Sequence, residues 1–127
     1  MQGKHLFEYA VIRVVPRVER EEFINVGVIL YCQSQRFLKV LFHLNEAKIS
    51  AISADTDVQE LEIYLNALEN ICIGGKQGGA IGTFPLASRF RWLTATRSSV
   101  IQSSKVHPGF CIDPDETLRR LFEQLVL

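Results

Sequence analysis

Two apolar runs of β type, FEYAVIRVV over 7–15 and VGVILYC over 26–32, flank the charged segment RVEREEF over 17–23. In the first run Phe7, Tyr9, Val11, Arg13 and Val15 share one face of a strand and Glu8, Ala10, Ile12 and Val14 the other. Both faces are largely apolar, which predicts a central strand covered on much of both sides, closed by Pro16. The charged segment is too long for a tight hairpin turn, so a helical turn or wide loop joins the two runs. Asn25-Val26-Gly27 opens the second strand, and a glycine inside an apolar strand points to a bulge or to close approach by another element. A turn at 33–35 leads to a third strand over 36–43, whose mixed odd face suits a partly wet position.

Helical periodicity takes over next. Asp57 and Glu60 have capping-box spacing, and Val58, Leu61, Leu65, Leu68 and Cys72 then recur on one face, predicting a helix over 58–71 that ends at Gly74-Gly75. Residues 74–83 (GGKQGGAIGT) match no phosphate-binding glycine pattern and read as a loop. Leu86, Phe90 and Leu93 predict a short helix after Pro85. A polar fourth strand is expected over 100–104 and a turn at His107-Pro108-Gly109. Asp113-Pro114-Asp115-Glu116 is a helix start, followed by a stripe of Leu118, Leu121, Phe122, Leu125 and Val126 over 114–126. The elements predict a single α+β domain over 1–127, with an antiparallel sheet of about four strands and helices packed on one face.

Composition adds bounds rather than a chemistry. A 127-residue chain with 47% hydrophobic and 22% charged residues can bury a core without metal or disulfide staples. Formal net charge is zero, which removes any general pull toward nucleic acid or an anionic membrane surface. The charges are segregated, with two Lys/Arg against six acids over 44–83 and an excess of Lys/Arg on either side. Three cysteines in no metal spacing, Cys32 and Cys72 among them in apolar runs, suit a reducing cytosol. No apolar run is long enough for a membrane helix, and Glu8 and Arg13 interrupt the only stretch resembling a leader, so the expected setting is cytoplasmic.

No catalytic set stands out. His5, His43 and His107 lack metal spacing, no nucleophile elbow is present, and neither a cofactor nor a metal ligand set is expected. His107 is the lone general-base candidate, on a turn close to basic residues. Arg13 on a covered strand needs an acid, a carbonyl or a ligand, with Glu19 and Glu22 the nearest acids in sequence. Arg13, Arg17, Glu22, Asn25, Arg97, Ser98 and His107 make up the candidate binding set, since forked guanidinium contacts suit carboxylate or phosphate. Pairing of these arginines with the protein's own acids is the competing reading.

YAVIRVVPRVEREEFINVGVIL, FRWLTATRSSVIQSSKVHPGF and DPDETLRRLFEQLV together resemble the bacterial domain-of-unknown-function family numbered 3037. The resemblance spans nearly the whole chain and carries no assigned activity. It implies a partner role, because members look to be encoded beside a HipA-like kinase-type protein. The functional expectation is therefore a non-catalytic protein-binding module, with a HipA-like kinase-type neighbour as partner. The alternative is an enzyme processing phosphate esters or nucleic acid at an Arg/His anion site.

Overall fold

The computed structural model describes residues 3–95 and 99–127. Five strands, β1 (His5–Val14), β2 (Ile24–Cys32), β3 (Phe37–Phe42), β4 (Ile101–Ser103) and β5 (His107–Cys111), form one antiparallel sheet. Four helices accompany it: α1 (Glu46–Ile52), α2 (Val58–Ile73), α3 (Leu86–Leu93) and α4 (Pro114–Leu125). The α+β class and the antiparallel sheet are those expected. β1 is central, with β2 and then β3 on one side and β4 and β5 end to end along the other.

The two-sided character of β1 has a direct structural consequence. Ala10, Ile12 and Val14 join Ile29, Tyr31, Leu61, Leu65 and Phe90 in a core beneath α1, α2 and α3. Phe7, on the opposite face, joins Val28, Leu30, Cys32, Leu118 and Val126 beneath α4. The helices thus do not all share one face as expected: α1 to α3 cover one and α4 the other, because strands apolar on both sides leave two faces to bury.

β2 carries the bulge that its glycine suggested. Ile12 pairs with Gly27 and Arg13 with Asn25, so Val26 has no partner across β1. The extra residue lets Val26 stay in the core under α2 while Asn25 turns to the α4 side, where its Nδ2 donates to Leu125 O at 3.1 Å. Gly27 is also a close approach, since a Cβ there would meet Leu41 O at 2.8 Å and Phe42 Cβ at 3.1 Å. Gly27→Ala is expected to lower stability by about 1–3 kcal/mol through displacement of β3. Urea unfolding measures it, and an unchanged midpoint would show that β3 does not hold that position.

The polar N-termini behave as their caps dictate. Asp57 accepts from Gln59 N and Glu60 N at the start of α2, and Asp113 from Asp115 N and Glu116 N at the start of α4. Two elements depart from the sequence expectation. The stretch His107-Pro108-Gly109 is not a turn but the start of β5, paired residue by residue with β1. Proline is tolerated because its missing N–H faces away from β1, and the Phe7 ring lies over Gly109, filling the space of a side chain. α1 is the second. Asn45 caps it by accepting from Lys48 N, yet within the helix only Ile49 is buried, too little for a helical stripe to register. Residues 75–78 and 81–83 form short 3-10 turns rather than open loop.

Candidate functional site

The described members of the candidate binding set do not gather at one place. Arg13 and Asn25 are cross-strand neighbours on the α4 side of the sheet. The Arg13 guanidinium carbon stands 4.3 Å from the centroid of the Phe23 ring, a cation–π contact. The Nε of Arg13 and the Oδ1 of Asn25 are both buried and reach no protein partner among the described residues. Among the described residues Arg13 forms no ion pair with Glu19 or Glu22; Glu22 binds Arg20 at 2.6 Å, because both project from the exposed turn that connects β1 to β2. His107 is exposed on β5, its ring 5.3 Å from that of Tyr9. Arg17 lies on the exposed turn and borders a cavity on the α2 side. Arg97 and Ser98 lie outside the described residues.

That cavity has a volume of about 780 Å³. It opens between α2, the turn after β1, the segment joining α1 to α2, and the entry to β4. Leu61, Leu68 and Ile71 from α2 and Ile101 from β4 supply apolar lining, because the α2 stripe is wider than the sheet beneath it can cover. Tyr64, Trp92 and Val100 border it and are 56%, 39% and 42% exposed. Asp55, Asp57 and Glu60 form an acidic rim near the start of α2, with Arg17 elsewhere on the margin. Asp57 is partly committed to capping, whereas Asp55 and Glu60 are exposed. The lining contains hydroxyls at Ser53, Thr56, Tyr64 and Ser99 and no imidazole or thiol among the described residues. This is the inventory of a binding surface, where apolar area supplies affinity and a few charges fix orientation.

Several arginines are absorbed by structure. Arg89 donates from Nη1 to Ile71 O and Cys72 O, and from Nε to Phe84 O, all at 2.9 Å. It thereby satisfies the carbonyls that α2 leaves open at its C-terminus, a favourable place for a cation. A glycine at 74 is needed beside it, both for its φ of +86° and because a Cβ would meet Arg89 Nη1 at 2.6 Å. Arg91 forms a two-pronged pair with Glu8 at 2.9 and 3.0 Å, and this hydrogen bonding holds its pKa above the ordinary value.

The three cysteines are buried and unpaired. Burial pushes the Cys72 thiol up from 9.0 to about 12. The folded pKa exceeds the unfolded one, so this contribution to stability is intact below pH 9.0 and is lost as pH rises toward about 12. Within that window the group is expected to lower stability by about 1.4 kcal/mol per pH unit. Urea unfolding at successive alkaline pH values checks it. Cys72→Ala should give a shallower slope, and an identical slope would mean that the thiol is not shielded.

The cavity residues were only partly visible beforehand. Tyr64 widens the α2 stripe, whereas Trp92 falls outside the Leu86, Phe90 and Leu93 spacing of α3, and nothing in the spacing reveals that β4 stops short of covering them. The model of a family described as protein of unknown function (DUF3037) matches residues 9–126. No curated protein and no solved structure matches the chain. Among the described residues no helix is long and apolar enough to cross a membrane.

Proposed function

The chain belongs to the DUF3037 family, and from that premise we propose that it is a non-catalytic module binding a segment of another protein in the cavity beside α2. The single observation that carries this reading is the cavity itself, about 780 Å³ with an apolar lining, two aromatic side chains at its margin and an acidic rim. The matching ligand is a peptide segment, helical or extended, with apolar anchors and a Lys or Arg placed to meet Asp55 and Glu60. A bacterial cytoplasmic setting and a HipA-like kinase-type protein as first candidate partner belong to the same proposal. The alternative, an Arg/His anion site processing phosphate esters or nucleic acid, finds less support. Its residues Arg13 and His107 do not border the cavity, and Arg13 is engaged with Phe23.

The test begins with tagged protein expressed from its native operon. The neighbouring kinase-type product is expected to co-purify at near-equal stoichiometry. Trp92 is the sole tryptophan and borders the cavity, so its fluorescence should change as the purified partner is titrated in. Ala67→Arg, at an exposed lining position on α2, should abolish both capture and the fluorescence change while leaving circular dichroism unaltered. Undiminished binding by Ala67→Arg would remove the cavity from the proposal. Phosphate-ester turnover lost in His107→Ala, with no partner recovered, would replace the proposal by the enzyme reading.

A further inference from the structure

β5 forms an open edge of the sheet, and its geometry is self-complementary. Along β1 the odd residues bond toward β4 and β5: Val15 N donates to Val100 O at 2.6 Å, and Ser104 N donates to Val11 O at 2.8 Å. Continuing that alternation, the pairs His5–Cys111, Phe7–Gly109 and Tyr9–His107 are the bonded ones, while Leu6–Phe110 and Glu8–Pro108 are not. Proline at 108, which has no N–H to give, agrees with this phase. The N–H and C=O of Phe110 and the C=O of Pro108 therefore point away from β1. Among the described residues no strand pairs with them.

The side chains on the same strip are apolar and uncovered. Leu6, Phe110 and Ile112 are 55%, 70% and 73% exposed, and Leu6 and Phe110 are direct cross-strand neighbours. Pro108 and the Glu8–Arg91 pair border this edge, yet Leu6, Phe110 and Ile112 stay exposed beside it.

We propose that β5 pairs antiparallel with β5 of a second copy of this chain about a two-fold axis at Phe110. Phe110 then exchanges both backbone bonds with Phe110 of the second copy, and Pro108 lies opposite Ile112, the bend that follows β5. The same register brings Asp113, the cap of α4 just beyond the strand, toward His107, so an acid lies near an imidazole at each end of the ladder. One symmetry operation thus pairs the strand with itself, as a two-fold interface demands, with the C=O of Ile112 left to solvent because Pro108 has no N–H. The Leu6, Phe110 and Ile112 strips of the two copies meet to form one continuous apolar surface, and the two sheets become one.

Sedimentation velocity from about 1 µM to about 1 mM, the range of weak to moderate protein contacts, is expected to reveal a species of twice 14.4 kDa. Phe110→Asp combined with Ile112→Asp should raise its dissociation constant at least about tenfold, with circular dichroism unchanged. Phe110→Cys gives a second readout. Bonded antiparallel neighbours stand about 5.5 Å apart at Cα, within the range a disulfide spans. Phe110→Cys should cross-link two copies without reductant, and Gln77→Cys, on an exposed turn remote in sequence, should not. A monomer throughout the concentration range, a dimer indifferent to the aspartates, or a failure of Phe110→Cys to cross-link would each overturn the proposal.

Discussion

Phe90→Ala is expected to cost about 3–5 kcal/mol of unfolding free energy, enough to consume much of the stability of a small domain. Phe90 is fully buried, belongs to the core beneath α2 and α3, and stacks on Tyr31 with ring centroids 5.2 Å apart. Removing the ring forfeits its transfer from water and leaves a cavity bounded by β1, β2 and α2, which are fixed by their own hydrogen bonds and cannot close over it. Arg91, whose guanidinium lies 5.4 Å from the Phe90 centroid, also loses that support. Urea denaturation followed by circular dichroism gives the value directly. A loss below about 1 kcal/mol, the range of surface substitutions, would mean that α3 is not docked through this residue.

On the opposite face Leu118→Ala is expected to cost about 2–5 kcal/mol. Leu118 is completely buried with Val28, Leu30 and Cys32 beneath α4, whose Leu121, Phe122 and Leu125 are only partly covered. The helix thus depends heavily on one side chain, and its loss should loosen the Asn25–Leu125 bond that ties the last turn of α4 to β2. The two substitutions lie on opposite sides of the sheet with no shared neighbours, so the double variant should be additive within about 0.5 kcal/mol. Two separate unfolding transitions in Leu118→Ala, with α4 melting first, would show instead that the faces are independent units.

The strands and long helices were legible because burial writes itself as period in the sequence. The apolar runs of β1 and β2 and the stripes of α2 and α4 each had a residue count that only one period fits, and the structural boundaries fall within two residues of those expected. The bulge was signalled by Gly27, whose missing side chain has a tertiary cause in β3. β5 was hidden because Pro108 and Gly109 are turn formers by local preference, and their toleration depends on Phe7, about a hundred residues away. The candidate site was less legible. The arginines of the candidate set lie in segments that a compact domain could bring together, but the topology sends Arg13 to the α4 side and Arg17 to the cavity margin. Charge spacing in sequence does not encode which face of the sheet each helix and connection will cover.

β1 pairs along one edge with segments that follow it by about ninety residues or more: Ser104 Oγ accepts from Val11 N, and Cys111 stands opposite His5. During synthesis the hairpin partner β2 emerges promptly, whereas the other edge of β1 must wait for nearly the whole chain to leave the ribosome. At about 5–20 residues per second that is a wait of several seconds, spent with a long apolar strand open on one side. The nascent chain is therefore a natural client for chaperones that shield strand edges, and premature termination before β5 would yield a sticky fragment rather than a smaller folded domain.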